Sequence, residues 1–430
     1  MRITVVALGK IGLPLAVQFA RKGHTVIGAD VNETTVKQVN DGIEPFPGEA
    51  QLAQYLVEVI NNGKLTATTD ITLAVAQSDA VVVVVPLFVD EQGNPDFYQM
   101  DVATKAIGDG IKLGTLVSYE TTLPVGTTRT RFAPSLEEAS GLKAGIDFHL
   151  VFSPERVFTG RVFADLRKYP KLVGGINAAS GERGVKFYED VLDFDARPDL
   201  ERLNGVWDLG SCEASEFAKL AETTYRDVNI ALANQFALFS ESHGIDVQKV
   251  IDASNSQPFS HIHRPGIAVG GHCIPIYPRF YLWNDPAATV VRAARTANEA
   301  MPAHVVVTLA KIHGNLKGQR VVVLGAAYRG GVKETAFSGV FATVSALKES
   351  GAIVFVHDPM YSDAELAHYG FDSYHYGESV DAAIVQTDHA EYRDLTSIQM
   401  PEAKTILDGR GVTNENNWQG VRYHVLGRAL

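Results

Sequence analysis

The chain begins with MRITVVALGKIGLPLAVQFARKGHTVIGAD, residues 1–30, and this stretch decides the fold class. An apolar run leads into Gly9 and Gly12, apolar residues at helical spacing follow, and a second apolar run ends at Asp30. The pattern predicts a strand, a turn, a helix and a second strand. A helix that starts at such a turn presents backbone N–H groups and the positive end of its dipole to an anion. We therefore expect a nucleotide site at this turn of a parallel α/β fold.

The turn has most of a dinucleotide-binding fingerprint. Asp30 follows Gly9 by 30 − 9 = 21 residues, the distance at which an acidic side chain usually binds ribose hydroxyls. A carboxylate there would repel a 2′-phosphate, so the pattern favours NAD over NADP. Ala7 stands where the first glycine is usual, and a plain tight turn is the alternative. The predicted cofactor contacts in this stretch are Gly9, Lys10, Ile11, Gly12 and Asp30.

The same pattern returns near residue 320, where GQRVVVLGAAYRGG (318–331) echoes RITVVALGKIG (2–12). Further apolar strands are expected at 80–85, 115–119, 148–152 and within 351–359, 382–388 and 404–411. We therefore predict two Rossmann-like, doubly wound domains joined by a long central helix, with segments 1–205, 206–303 and 304–430. The second turn, around Gly325, lacks the full glycine spacing and serves either another nucleotide moiety or packing alone.

The central helix is predicted from Ser211 to about Gly244, where apolar residues recur near helical spacing without a proline. Ser211 is suited to cap its start, and Gly244 to end it. A long helix with an apolar stripe often joins domains and packs on a partner, which suggests a homodimer. A core helix within one domain fits the same pattern.

Composition narrows the class of protein. The 430 residues are 46% hydrophobic and 20% charged, as in a globular protein. The longest apolar run, AVVVVVPLFV at 80–89, is too short to span a bilayer, and no signal peptide is recognised. Two cysteines offer no disulfide framework and no metal cluster, so we expect a cytoplasmic protein without a metal. The net charge of −12 argues against nucleic-acid binding.

One of the cysteines, Cys273, lies in GGHCIP at 270–275. Gly270 and Gly271 allow close approach of the backbone to a ligand and could supply N–H donors to a thiolate. Taken alone, Cys273 is either a nucleophile or a small apolar residue that fills a turn. Cys212 lies in an apolar pattern at a helix start, and we assign it to structure.

Seven stretches together resemble the UDP-glucose/GDP-mannose dehydrogenase family over nearly the whole chain. They are LGKIGLPLA (8–16), YETTLPVGTT (119–128), SPERVFTG (153–160), YPKLVGG (169–175), KLAETTYRDVNIALAN (219–234), RPGIAVGGHCIP (264–275) and LGAAYRGGVKETAFSG (324–339). The GGHC and TYRDVNIALAN forms look more like the branch that acts on UDP-N-acetylhexosamines, such as UDP-N-acetylmannosamine or UDP-N-acetylglucosamine. The resemblance implies a four-electron, NAD-dependent oxidation of a sugar C6 alcohol to a uronic acid.

The resemblance also implies roles for residues. Cys273 matches the nucleophile that forms a thiohemiacetal and then a thioester. Lys219 matches the lysine that stabilises the oxyanion and contacts the substrate, and Glu155 matches an acid, a base or a water-orienting group. The remaining implied contacts are Pro86, Thr121 and Arg329 for the cofactor and Arg264, Gly271 and Tyr225 for the substrate, with Arg329 also in a segment that contacts the nucleotide sugar.

Several positions depart from the family pattern. Thr223 stands at a catalytic asparagine position and Tyr277 at an aspartate position, and Ala336 and Phe337 replace an acidic residue and an arginine. A tyrosine, with an ordinary pKa near 10, is a poor base, so hydrolysis of the thioester is the step most affected. Two other functions therefore stay open, a one-step oxidation of a nucleotide sugar and an inactive nucleotide-sugar-binding protein.

Overall fold

The computed structural model describes residues 1–90 and 92–429. The chain divides into two compact units, Met1–Glu222 and a second that begins at Thr223. Each unit is built around its own sheet, which is mostly parallel in the first unit and fully parallel in the second. The expected α/β class with two doubly wound domains is confirmed, whereas the three segment boundaries given above stay a prediction.

The first unit contains an eight-stranded sheet in the order β10-β9-β8-β7-β4-β1-β2-β3. Its strands are β1 (Arg2–Val6), β2 (Thr25–Ala29), β3 (Leu65–Thr68), β4 (Ala80–Val83), β7 (Leu116–Tyr119), β8 (His149–Phe152), β9 (Lys171–Gly175) and β10 (Val206–Asp208), and a separate hairpin is formed by β5 (Phe88–Val89) and β6 (Pro95–Asp96). Its helices are α1 (Gly12–Arg21), α2 (Glu33–Asn40), α3 (Leu52–Asn61), α4 (Ile71–Ala76), α5 (Tyr98–Gly110), α6 (Ala133–Ser140), α7 (Val162–Lys168) and α8 (Ala178–Val191), with a π-helical turn at Thr128–Phe132.

Six neighbouring strands of this sheet, β3-β2-β1-β4-β7-β8, are parallel and follow the order of a dinucleotide-binding fold. Strand β9 is antiparallel to β8, and β10 is parallel to β9. The first residue of β9 therefore lies at the edge where β7 and β8 end. Ligands bind at this carboxyl edge in open α/β sheets.

The apolar run at 80–89 forms a shorter strand than the sequence suggested. β4 ends at Val83, and all four of its residues are buried. Pro86 cannot donate a ladder hydrogen bond, and Phe88 and Val89 pair instead with β6.

The second unit holds a five-stranded, fully parallel sheet in the order β12-β11-β13-β14-β15. Its strands are β11 (Arg320–Leu324), β12 (Ile353–His357), β13 (Ala382–Val385), β14 (Thr405–Asp408) and β15 (Arg422–Val425). Its helices are α10 (Val247–Asn255), α11 (Tyr277–Asn284), α12 (Thr289–His313), α13 (Val340–Glu349) and α14 (Asp363–His368), with short turns at Ala390–Asp394 and Glu415–Asn417. Val321 and Val323 join one apolar cluster and Val322 and Leu324 another, so both faces of this sheet are covered.

The central helix, α9, runs from Cys212 to His243 and confirms the expected long helix. The Ser211 hydroxyl accepts a hydrogen bond from the Ala214 N–H at 3.2 Å, and Gly244 has a φ of 72° just past the last turn. Among the helices in residues 1–90 and 92–429, none combines the length and the apolar character needed to cross a membrane.

Candidate active site

The turn after β1 is shaped by close contacts of its glycines. A Cβ on Gly12 would lie 1.9 Å from the Ala7 carbonyl oxygen, so only glycine fits there. A Cβ on Gly9 would meet nothing within 4 Å, so the chain leaves open space beside this residue. Ala7 has a φ of 76°, a left-handed conformation that the usual glycine would adopt without strain.

Asp30 lies at the end of β2 beside this turn and is partly exposed. Its carboxylate accepts hydrogen bonds from the Leu8 N–H at 2.7 Å and from the Asn32 N–H at 2.9 Å. These bonds fix the carboxylate and leave lone pairs that can accept ribose hydroxyls. The open space at Gly9, the start of α1 and Asp30 together fit an adenosine ribose and a pyrophosphate.

The predicted cofactor contacts Pro86 and Thr121 come from the loops that follow β4 and β7. The Thr121 hydroxyl donates to the Val85 carbonyl at 2.7 Å, so the two loops are joined next to Pro86. Pro86 is exposed, and Lys10 is exposed in the turn after β1. The structure thus brings the predicted cofactor contacts of the first unit to the carboxyl edge of neighbouring strands.

Glu155 lies just after β8 at the same edge. Its Oε1 accepts hydrogen bonds from the Arg156 N–H at 2.7 Å and the Val157 N–H at 3.2 Å, and its Oε2 accepts one from Lys171 Nζ at 2.9 Å. Burial alone would raise the pKa of Glu155, but the Lys171 ammonium and these donors outweigh it, and the pKa is lowered. The carboxylate is therefore held in its ionised form.

Lys219 lies on α9, and its side chain is buried. Its ammonium is 3.7 Å from Glu222 Oε1, and Glu222 Oε2 accepts a hydrogen bond from Arg156 Nε at 2.9 Å. Arg156 directly follows Glu155, so Glu222 links the helix that carries Lys219 to the loop that carries Glu155.

In the second unit, Cys273 is exposed, so it is not a residue that fills a buried turn. Its carbonyl accepts hydrogen bonds from the Tyr277 N–H at 2.9 Å and the Ile276 N–H at 3.2 Å, which leads the chain into α11. By contrast, Cys212 is buried, burial raises the pKa of its thiol to about 12, and its Sγ contacts the Gly174 carbonyl at 3.2 Å. The expectation that Cys212 is structural agrees with this environment.

The loop before Cys273 is packed too closely for side chains. A Cβ on Gly270 would lie 2.6 Å from Tyr328 Cβ and 2.9 Å from the Phe337 carbonyl oxygen. The Gly271 N–H donates to the Ala336 carbonyl at 2.8 Å. Phe337 is about half exposed and has a φ of 50°, so this neighbouring loop holds a strained residue.

Buried asparagines fix the start of the same loop. Asn234 on α9 accepts a hydrogen bond from the Gly266 N–H at 2.9 Å and donates to Asn298 on α12 at 2.9 Å. Asn298 in turn donates to Asp227 Oδ1 at 2.7 Å, and Arg295 pairs with the same oxygen at 2.8 Å. This network was not predicted, because single asparagines in a helical pattern carry no signal of their partners.

The predicted substrate contacts of the second unit differ from one another in their hydrogen-bond and ion-pair partners. Tyr225 is exposed on α9, and its hydroxyl accepts from Asn229 Nδ2 at 3.1 Å. The guanidinium of Arg264 pairs with Asp252 on α10 and donates to Gln248. Arg329 is exposed after β11, where its Nε donates to the Tyr328 hydroxyl at 3.2 Å.

Two features of the second unit went unrecognised in the sequence. Asp358 Oδ2 accepts hydrogen bonds from the Ala326 N–H at 2.8 Å and the Ala327 N–H at 3.0 Å, so these two donors of the second turn are used by the protein itself. Arg410 follows β14, and its Nε donates to the Gln386 carbonyl at 3.2 Å. A Cβ on Gly266 would lie 2.6 Å from the Arg410 guanidinium, so glycine makes room for it.

Comparison with known proteins decides the family. Residues 1–192 match the NAD binding domain of the UDP-glucose/GDP-mannose dehydrogenase family, residues 213–300 its central domain and residues 322–415 its UDP binding domain. The chain belongs to the UDP-glucose/GDP-mannose dehydrogenase family. It is thus an NAD-dependent nucleotide-sugar dehydrogenase with a UDP-sugar substrate, and the turn after β1 lies in the domain that holds NAD.

Individual members of the family are similar over nearly their full length. The UDP-N-acetyl-D-mannosamine dehydrogenase of Pyrococcus horikoshii is 34% identical over 96% of both chains. A solved UDP-D-ManNAc dehydrogenase structure from the same organism has a TM-score of 0.87 at 31% identity and covers 100% of this chain and 99% of its own. An NDP-N-acetyl-D-galactosaminuronic acid dehydrogenase from Methanosarcina mazei has a TM-score of 0.84 at 28% identity, with 100% and 95% covered.

The two residues at which the resemblance implies a departure from the family's catalytic pattern lie on helices. Thr223 is buried on α9, one turn after Lys219. Tyr277 is the first residue of α11, four residues after Cys273, and its ring lies 5.8 Å from that of Phe280. Its neighbour Pro278 occupies a position in the first turn where no N–H is required.

Proposed function

We propose that this dehydrogenase oxidises the C6 alcohol of UDP-N-acetylmannosamine to the uronic acid in a four-electron reaction. The relatives named above support an N-acetylhexosamine, because the Pyrococcus proteins carry N-acetylmannosamine in their names. The alternative UDP-N-acetylglucosamine differs only in the configuration at C2.

The reaction needs a covalent step on the protein. Bound NAD⁺ would supply the oxidising power: each of the two oxidations would convert one NAD⁺ to NADH by uptake of a hydride from C6, and the first would also release the proton of the C6 hydroxyl. After the first oxidation, the Cys273 thiolate attacks the aldehyde carbon, and the oxygen takes up a proton to form a thiohemiacetal. The second oxidation removes the remaining hydride and the hydroxyl proton and leaves a thioester. Water then adds to the thioester carbon, the C–S bond breaks, and the acid and the free thiol are released.

The observation that carries this proposal is the exposure of Cys273 on a loop held close to its neighbours through Gly270 and Gly271. An exposed thiol is available to an aldehyde, whereas the buried thiol of Cys212 is not. We assign Lys219 to stabilisation of the oxyanion, Thr223 to one hydrogen bond to the reacting groups, and ionised Glu155 to the orientation of water.

We assign the remaining contacts by their domains. Gly9, Gly12, Asp30, Pro86 and Thr121 serve NAD in the first unit, together with Lys10 and Ile11. Arg329 lies in the match to the UDP binding domain, which supports a contact with the nucleotide sugar rather than with NAD. Gly271, Tyr225 and Arg264 complete the proposed substrate contacts, and Arg264 would have to leave its ion pair with Asp252 to reach a phosphate.

The test is Cys273→Ala, with Cys212→Ala as the matched control. We expect Cys273→Ala to bind UDP-N-acetylmannosamine with unchanged affinity in calorimetry and to release no uronic acid detectable by mass spectrometry. Cys212→Ala should lose some thermal stability and keep its turnover. Normal acid release by Cys273→Ala would end the covalent mechanism.

We also propose a homodimer formed through α9 in a reducing, cytoplasmic compartment that keeps the Cys273 thiol free. Leu232 and Phe239 lie seven residues apart along α9, and each is about half exposed. An apolar pair of this kind on a helix favours a helical partner. Light scattering should give the dimer mass for the wild type and a lower mass for Leu232→Glu, and a wild-type monomer would contradict the proposal.

A further inference from the structure

Lys171, the first residue of β9, places a buried ammonium at the carboxyl edge of the first sheet. Because β9 is antiparallel to β8, the first residue of β9 lies beside the carboxyl ends of β7 and β8. Lys171 Nζ donates to Glu120 Oε2 at 2.6 Å and to Glu155 Oε2 at 2.9 Å. The Lys171 ammonium therefore joins Glu120, which follows β7, to Glu155, the carboxylate after β8 to which we assign the orientation of water.

The surroundings keep this ammonium in place. The side chains of Lys171 and Glu120 are 5% and 0% exposed, so Lys171 cannot turn to water without leaving Glu120 buried and without its cation. The Tyr188 hydroxyl donates to Glu120 Oε1 at 2.6 Å, and the Tyr188 ring lies 4.9 Å from Lys171 Nζ. Glu120 thus has a donor on each oxygen, and Lys171 has acceptors on two sides.

The other charged groups near Glu155 are engaged elsewhere. Arg156 pairs with Glu222 on α9, and Asp165 on α7 accepts from the Phe158 N–H and pairs with Arg161. Burial raises the pKa of Glu120, the charge of Glu155 adds to this, and Lys171 opposes it. The pKa of Glu155 is lowered, so the pKa values of Glu120 and Glu155 are shifted in opposite directions.

We propose that Lys171 is a positioning residue that holds Glu155 ionised in one orientation, with Glu120 as the buried counter-ion that anchors Lys171. The inference rests on the proposed role of Glu155 in the dehydrogenase reaction. Besides Lys171, Glu155 has the Arg156 and Val157 N–H donors at Oε1 and a side-chain hydrogen bond with Glu120, so loss of Lys171 removes the ammonium at Oε2 and raises the affinity of Glu155 for a proton.

The experiment compares Lys171→Met/Glu120→Gln with Glu120→Gln. The double variant removes Lys171 and Glu120 together, so Glu120 is not left as a buried charge without its cation and the change falls on Glu155. We expect the acid limb of its kcat–pH profile to move upward by at least about one pH unit, with little change in the KM for the UDP-sugar. Glu120→Gln keeps Lys171, and its amide N–H can replace the side-chain hydrogen bond between Glu120 and Glu155, so its acid limb should not move upward. An upward shift in the double variant alone separates the proposal from a general loss of stability.

Two further variants complete the design. Glu216→Gln alters another buried carboxylate of the same unit, and it should change the melting temperature without moving the acid limb. Glu155→Gln tests the proposed function itself and should lower kcat strongly. If Glu155→Gln is impaired while the double variant keeps the wild-type acid limb, the role of Lys171 is refuted and that of Glu155 stands. A fully active Glu155→Gln would overturn the role of Glu155 and, with it, that of Lys171. An upward shift of the acid limb in Glu120→Gln would overturn the role of Lys171 alone.

Discussion

Ala7 is the residue at which the first nucleotide turn departs from its usual sequence. Its φ of 76° lies in the left-handed region, where an alanine is strained and a glycine is not. The fold nevertheless forms, because the Ala7 N–H bonds to the Ala29 carbonyl at 2.7 Å and Gly12 leaves room for the Ala7 oxygen.

We expect Ala7→Gly to stabilise the protein by about 0.5 to 1 kcal/mol, since it relieves this strain. The matched control is Ala53→Gly on the exposed face of α3, where the same change should destabilise the chain by a similar amount. Chemical denaturation of both variants gives the comparison. Equal destabilisation by the two glycines would show that the conformation of Ala7 carries no strain.

At this scale the sequence singles out some residues and passes over others. Asp30 stands out because it follows a strand end, whereas the local pattern left Cys273 open and only the resemblance favoured a nucleophile. Lys171 has no recognisable role of its own within YPKLVGG (169–175), because its partners Glu120 and Glu155 are 51 and 16 residues away. A buried ion pair between distant segments leaves no periodic trace in a single sequence.

The direction of strand β9 determines that Lys171 lies beside Glu155 at the carboxyl edge of the sheet. Its residues KLVGG are all buried, and such an apolar run fits a parallel or an antiparallel strand equally well. Its direction is set by pairing with β8, which the sequence pattern does not encode. The expected strands each lie where the structure has one, but β3, β9, β10 and β15 were not expected. β4 was predicted two residues too long, because the apolar run continues past Val83 to Pro86.

Asn234 on α9 and Asn298 on α12 support the loop that carries Cys273. We expect Asn234→Ala to cost about 1 to 3 kcal/mol, because it leaves the buried Gly266 N–H without an acceptor. It should also lower kcat, since the loop that leads to Cys273 loses its anchor.

The control for this prediction is Asn255→Ala. Asn255 holds the Ile262 backbone through two hydrogen bonds, but it is exposed, so water can replace the side chain. Urea denaturation and steady-state turnover of both variants make the comparison. An Asn234→Ala variant that is no less stable than Asn255→Ala would rule out the anchoring role.

On the scale of the whole molecule, the stability should depend on pH through Glu216. Burial raises the pKa of this carboxyl to about 7, despite hydrogen bonds from Thr128 and Gly126. Between its ordinary value of 4.5 and about 7, the folded chain keeps a proton that the unfolded chain has lost. This contribution to stability is complete below the lower value and is lost as the pH rises through the higher one.

We therefore expect the unfolding free energy of the wild type, relative to Glu216→Gln, to fall by up to about 1.4 kcal/mol per pH unit in this window. Denaturation of both proteins at several pH values measures the difference. A difference that stays constant with pH would mean that Glu216 is ionised in the folded chain throughout.

The central claim concerns the complete reaction of a chain that has Thr223 and Tyr277 where its resemblance to the family implies a catalytic asparagine and an aspartate. The most direct measurement is the amount of NADH formed per molecule of UDP-N-acetylmannosamine consumed, with the product identified by mass. We predict two NADH and a carboxylate, which requires both oxidations and hydrolysis of the Cys273 thioester. One NADH with an aldehyde product, or binding of the sugar without any NADH, would contradict the account.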